Sequence, residues 1–349
     1  MARINVGVIA TLLTISLESW AVATTGKPDL ASKLAEFRRP DAIPFPKENP
    51  YRAAKAELGR SLFFDPILSR DGERTCATCH IPGQDWTDAN PKAPRNDGGS
   101  MDFRTPTLIN AAWIDGIYGW DGKFRGLEVV ARTPLTSPSN MNMPPEEMVR
   151  RLSADPAYVA AFTKAFPHGG PPVTQERVDQ ALATFQRLIV SGKAPFDRWV
   201  EGDPQAVDAS AKRGFDLFTG KAHCAACHSS WAFTDGSFHD IGVAKGNDIG
   251  RARFFPTSTA LRYAFKTPTL RNVSGRAPYM HDGSLATLDA VIDLYDRGGI
   301  ERPSRSRDIR PLNLSPQEKA DLLAFLKTLD DDRSADVAFR PFDPEPPRP

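Results

Sequence analysis

The chain has 349 residues, 40% hydrophobic and 25% charged, the balance of a folded protein of two or three domains. Lysine plus arginine (44) nearly cancels aspartate plus glutamate (43), and a formal net charge of +1 excludes the basic field needed for nucleic acid or an anionic membrane surface. The 31 prolines predict long loops with a pinned backbone.

In chain order, Arg3, the apolar run from Val6 to Leu17 and Ala21-Val22-Ala23 read as a secretory signal over residues 1–23. The run is shorter than the roughly 20 residues a bilayer span requires. Cleavage after Ala23 predicts a mature protein in a periplasm-like compartment. Asn49-Pro50, Asp155-Pro156 and Asp203-Pro204 each read as a helix start, a cap followed by proline at the first helical position. Cys76-Ala-Thr-Cys79-His80 follows the first of these. Thr174 to Val190 places Val178, Ala181, Leu182, Phe185, Leu188 and Ile189 on one helical face. Cys224-Ala-Ala-Cys227-His228 repeats the earlier motif. Thr287 caps a helix carrying Leu288, Val291, Ile292 and Tyr295 on one face and ending near Gly298-Gly299. Ser315-Pro316-Gln317-Glu318 is a capping box that opens a helix to about Leu329, and the tail from Arg340 reads as extended. Period-two alternation is lacking, so the fold class expected is all-α.

All four cysteines fall in the two Cys-x-x-Cys-His motifs. Cys-x-x-Cys alone fits a redox dithiol or half a zinc site, but the adjacent histidine makes it the attachment signal of c-type haem. Cys76 and Cys79 are assigned to one haem with His80 as axial ligand, and Cys224 and Cys227 to a second with His228. An internal duplication surrounds them. Gly59-Arg60-Ser61-Leu62-Phe63 and Gly214-Phe215-Asp216-Leu217-Phe218 precede the motifs, and Thr105-Pro106-Thr107-Leu108-Ile109-Asn110 and Thr267-Pro268-Thr269-Leu270-Arg271-Asn272 follow them. Two fused cytochrome c-like domains with long Pro-rich loops are expected, over 24–192 and 193–349.

Leu58-Gly59-Arg60-Ser61-Leu62-Phe63-Phe64-Asp65, Trp120-Asp121-Gly122-Lys123 and Ala277-Pro278-Tyr279-Met280-His281-Asp282-Gly283-Ser284 resemble segments of the bacterial di-haem cytochrome c peroxidase/MauG family, in the same order. The resemblance implies an N-terminal haem that reacts with hydrogen peroxide and a C-terminal haem that receives the oxidising equivalent. It implies Trp120 as the electron relay between them. At Tyr295 conventional peroxidases carry methionine and MauG-like enzymes tyrosine, the second axial ligand of the C-terminal haem. A tyrosine hydroxyl on a buried stripe needs a partner, and a backbone carbonyl competes with iron for that role. As a hard anion, tyrosinate favours the oxidised metal, whereas methionine raises the potential. Tyr295 is the ligand expected, with Met280 its rival. Between Ile81 and Gly119 there is no histidine to block the first haem, so that iron is expected open, Met101 being the one alternative for closing it.

Two features depart from the family. Its distal glutamine and glutamate fall on Val130 and Asn140, and neither transfers a proton. Glu146 and Glu147 read as a solvated first helical turn rather than replacements. The family's calcium site, to which the carbonyls of Arg276 and Pro278 would contribute, has Arg104 where an asparagine is expected, and a cation beside arginine is disfavoured. His239 and His281 are expected to hydrogen-bond near haem, and His168 to be exposed. Peroxide reduction with electrons from a donor protein, MauG-like oxidation of a partner's side chain, and non-enzymatic electron transfer remain the competing functions. Homodimers are the common arrangement among relatives.

Overall fold

A computed structural model describes residues 29–114 and 116–331. The signal reading of 1–23 and the extended tail from Arg340 lie outside the described residues. Among the described residues ten α-helices carry the fold: α1 (Leu30–Ala35), α2 (Ala53–Phe64), α3 (Leu127–Thr136), α4 (Pro145–Ala154), α5 (Pro156–Ala165), α6 (Gln175–Arg187), α7 (Pro195–Val200), α8 (Ala209–Thr219), α9 (Leu288–Arg297) and α10 (Pro316–Lys327). The β-structure described is two short antiparallel ribbons, β1 (Ile117–Tyr118) with β2 (Phe124–Arg125) and β3 (Phe238–His239) with β4 (Phe265–Lys266). The all-α expectation holds.

Most caps read from the sequence are made. Asp155 accepts from Ala157 N, Thr287 from Ala290 N and Ser315 from Glu318 N, and Thr174, which the sequence did not mark, also caps α6 by accepting from Arg177 N. Two are not. α2 starts at Ala53, and the buried Asn49 instead donates its amide to Glu128 (2.8 Å) and Gln180 O (3.0 Å) while accepting from Lys55. Satisfying buried groups from three directions outweighs a local cap. At Asp203 only a turn forms, and helix α8 waits for Asp208, which accepts from Ala211 N.

The duplication is physical. Gly59 on α2 lies against α6, where a Cβ would sit 2.0 Å from Ala181 O; Gly214 on α8 lies against α10, where a Cβ would sit 2.0 Å from Asp321 O. Only glycine permits these backbones to approach so closely. Each crossing seats one aromatic triangle: Phe63, Trp86 and Phe185 with centroids 5.1–5.9 Å apart, and Phe218, Phe233 and Phe325 at 4.9–6.0 Å. Burying each such ring contributes about 1.5–3 kcal/mol. One core therefore runs from Leu58 to Ile189 and another from Phe196 to Leu329. Phe37, 2% exposed, joins the second core although it precedes both motifs. It stacks on Phe233 at 4.9 Å, and Arg39 beside it donates to Ser191 O and Gly192 O across the junction.

Candidate active site

Each Cys-x-x-Cys-His motif sits on one turn of 3₁₀ helix that leads straight into its histidine, at Cys76–Thr78 and Cys224–Ala226. The turn brings both cysteines and the histidine to one side of the chain. His80 Nδ1 lies 3.1 Å from Trp86 O, and His228 Nδ1 lies 2.9 Å from Phe233 O. A carbonyl only accepts, so in each ring Nδ1 carries the proton and Nε2 keeps its lone pair for a metal. Burial holds both imidazoles below their usual pKa, which keeps them neutral. It also pushes the Cys76 and Cys224 thiols up to about 12.

The following Thr-Pro-Thr segments close each site alike. Thr107 Oγ1 donates to Asp85 O and Thr269 Oγ1 to Ala232 O, both at 2.6 Å. Thr87 donates to Thr105 O (2.6 Å), and Thr234 to Thr267 O (2.7 Å). Asn110 and Asn272 are both left-handed, and each accepts a backbone N–H at 3.0 Å, from Ser191 and Asp331.

Around His228 lies a mostly apolar cavity that Cys224, Cys227, Tyr295 and Met280 also line. Among the described residues the Tyr295 hydroxyl has no hydrogen-bond partner, so the competing carbonyl is not there. Burial, then the nearby Cys224 and Cys227, push its phenol well above the usual range. A free imidazole Nε2 and an unpartnered phenol lining one cavity, with two thiols beside them, are the donor chemistry a covalently held haem needs.

Trp120 borders the same cavity at the junction of the two cores. Its indole Nε1–H donates to Arg104 O (3.0 Å), and its carbonyl accepts from Lys266 N (2.8 Å). The turn after it is held by Arg251, whose Nη1 donates to Asp121 O and Gly122 O, both at 3.0 Å. Neither Arg251 nor Lys266 was singled out from the sequence. The usable signal was that Lys266 and Arg104 precede the two Thr-Pro-Thr segments at the same repeat position.

On the side of His80, Val130 on α3 packs with Tyr118, Leu127 and Ala183. Asn140 is half-buried in a turn, its N–H on Ser137 O at 3.0 Å, and its side-chain amide has no partner among the described residues. Leu135 and Met141, on the same stretch of chain, share the first core, against which Cys76 and Ala77 pack. Met101 Sδ accepts from Ser139 at 3.8 Å. Glu146 is exposed, and Glu147 is bound by Arg150 and Arg151, each at 2.7 Å, which lower it to about 2. Neither acid replaces the missing one.

Three of the other four histidines fit their sequence reading. His239 pairs with Asp235 (2.7 Å), His281 with Asp248 (2.6 Å), and His168 is exposed. The calcium expectation does not fit these residues. The Arg276 carbonyl, one of the two ligands expected for it, already accepts from Arg104 Nη1 at 2.9 Å. A guanidinium occupies that coordination direction, and its charge opposes a second cation there.

Comparison with known proteins agrees with this geometry. Residues 53–205 match the model of the di-haem cytochrome c peroxidases, and 211–330 match that of cytochrome c. The methylamine utilization protein MauG of Methylorubrum extorquens is 51% identical over 317 residues, covering 90% of this chain and 89% of that one. The chain belongs to the di-haem cytochrome c peroxidase/MauG family. MauG of Methylophilus methylotrophus is 46% identical, over 91% of this chain and 95% of its own. A crystal structure of a MauG-like protein associated with microbial copper homeostasis superposes with a TM-score of 0.79 at 31% identity, covering 84% of this chain and 95% of that one. This family member is thus an oxidoreductase carrying two covalently bound haem c groups. Among its described residues no helix is long and apolar enough to cross a membrane.

Proposed function

We propose that this is an exported, periplasmic di-haem enzyme that uses hydrogen peroxide to oxidise a side chain on a partner protein. In this reading 1–23 is its signal, and the body over 24–192 holds the reactive haem on Cys76, Cys79 and His80. The body over 193–349 holds the second haem on Cys224, Cys227 and His228. Bound haem supplies the redox chemistry, taking up the oxidising equivalents of peroxide.

The observation that carries the reading is Tyr295, a half-buried phenol on the same cavity as His228 that has no hydrogen-bond partner among the described residues. A tyrosine ligand there favours the oxidised metal and suits a site that stores oxidising power. Trp120, held on its indole N–H by Arg104 and on its carbonyl by Lys266, has the fixed orientation that an electron relay between the bodies would require. His80 would hold the first haem from one side, and no histidine lies between Ile81 and Gly119 to take the other. Asn140 can orient peroxide by hydrogen bonding but cannot move its proton, so O–O cleavage is slower than with a distal acid.

The competing reading is an electron carrier without peroxide chemistry, favoured by Val130 and Asn140. Mixing ferric holoprotein with one equivalent of peroxide separates them. The enzyme reading expects both haem absorption bands to change and to relax faster when a protein substrate is supplied. An unchanged spectrum would leave the carrier. A homodimer is the expected assembly, and sedimentation of holoprotein tests it.

A further inference from the structure

We propose that the Arg104 guanidinium is the built-in cation of the domain junction, standing in for a bound metal and positioning Trp120. The part concerning Trp120 rests on the relay reading above; the part concerning the cation does not.

Arg104 is 6% exposed and reaches both bodies. Nη1 donates to Arg276 O of the second body (2.9 Å), while Nη2 donates to Asp88 O of the first (3.0 Å) and approaches Thr87 Oγ1 at 3.5 Å. Its backbone completes the tie, since N–H donates to His281 O (3.0 Å) and the carbonyl accepts the Trp120 indole N–H (3.0 Å). Carbonyls converging from two chain segments are what a hard cation such as calcium seeks. Here a planar fork of fixed N–H donors takes them instead, and being covalently part of the chain it cannot dissociate. Neutral carbonyl acceptors also suit a delocalised guanidinium, which is weakly hydrated and so less costly to bury than an ammonium.

The duplication shows why this positions Trp120. Arg104 and Lys266 occupy the same repeat position, immediately before Thr105 and Thr267. The backbone of one holds the indole N–H and that of the other the Trp120 carbonyl, so the two repeats clasp one residue between them. Losing the guanidinium would free the Arg104 backbone and, with it, the indole.

Wild-type holoprotein dialysed against calcium and desalted should retain no stoichiometric calcium by elemental analysis. Chelator should leave its melting temperature and both haem spectra unchanged. Arg104→Asn should lower the melting temperature, acquire a calcium requirement, and recover both stability and spectrum when calcium is added. Arg104→Met should lose stability that calcium cannot restore. Transfer between the haems should fall about tenfold to a hundredfold in both variants without calcium, as a displaced relay predicts. Stoichiometric calcium in wild type, with a chelator-induced shift, would overturn the proposal even if Arg104→Asn failed to fold. If wild type is calcium-free but Trp120→Phe transfers normally between haems, the relay reading fails while the built-in cation stands.

Discussion

The two haem-binding bodies share one construction and differ where chemistry is decided. Both use a glycine-mediated helix crossing, an aromatic triangle, a histidine oriented by a carbonyl, and a threonine-locked loop. The cavity around His228 is also lined by Tyr295, while the first body's candidate distal segment offers Val130 and Asn140. Another contrast lies in the frame. Where the first repeat has Ile109, the second buries Arg271 fully, pairing it with Asp197 at 2.8 Å and with Trp231 O at 2.7 Å. The proximal half of a c-type site is thus fixed by attachment, and the distal half is free to diverge into reaction site or reservoir.

The contrast breaks most visibly at the reaction site. Asn140→Glu restores a proton-transferring group, and stopped-flow mixing with peroxide should show a rate higher by about 10²–10⁴-fold. No increase would mean that Asn140 does not face the peroxide. In the second body, Tyr295→Phe would remove the anionic ligand proposed for that haem. Spectroelectrochemistry should show one haem band altered and its potential raised on the order of 0.1 V, since axial ligands tune potential over a wide range. An unaltered spectrum would hand the ligand role to Met280 or to none.

Gly59→Ala and Gly214→Ala test the shared construction. Each drives a methyl group into a facing backbone carbonyl, and thermal unfolding should show a loss of at least about 2 kcal/mol for either. Haem absorption should be disturbed only in the body that carries the substitution. The smallest effect concerns Glu147, whose acidity is raised by Arg150 and Arg151. A carboxyl held below its unfolded value stabilises at high pH, so this contribution is full above 4.5 and fades as pH falls toward 2. The melting-temperature gap between wild type and Glu147→Gln should narrow over that window, and a gap independent of pH would refute the clamp.

Much of this was legible in the sequence, and the reason is locality. Cys-x-x-Cys-His and the Thr287 and Ser315 caps act through neighbours a few residues away, and the Gly59 and Gly214 segments were visible because they repeat, although the backbones they meet at Ala181 and Asp321 are distant in sequence. Asn49 was misread because its partners Glu128 and Gln180 are distant in sequence, and tertiary satisfaction overrode the local cap signal. Phe37 could not be assigned to the second core from its position near the start of the chain. Arg104 was noticed only as an obstacle to calcium, because its partners Asp88, Arg276 and His281 converge only in the fold.

The central claim is a reaction site joined to a reservoir through Trp120. The direct test is electron paramagnetic resonance of samples frozen just after one equivalent of peroxide is added to ferric wild type and to Trp120→Phe. The account predicts that the ferric signals of both haems fall together in wild type, and that only the signal of the His80 haem falls promptly in the variant. Equal and simultaneous loss of both signals in Trp120→Phe would contradict it.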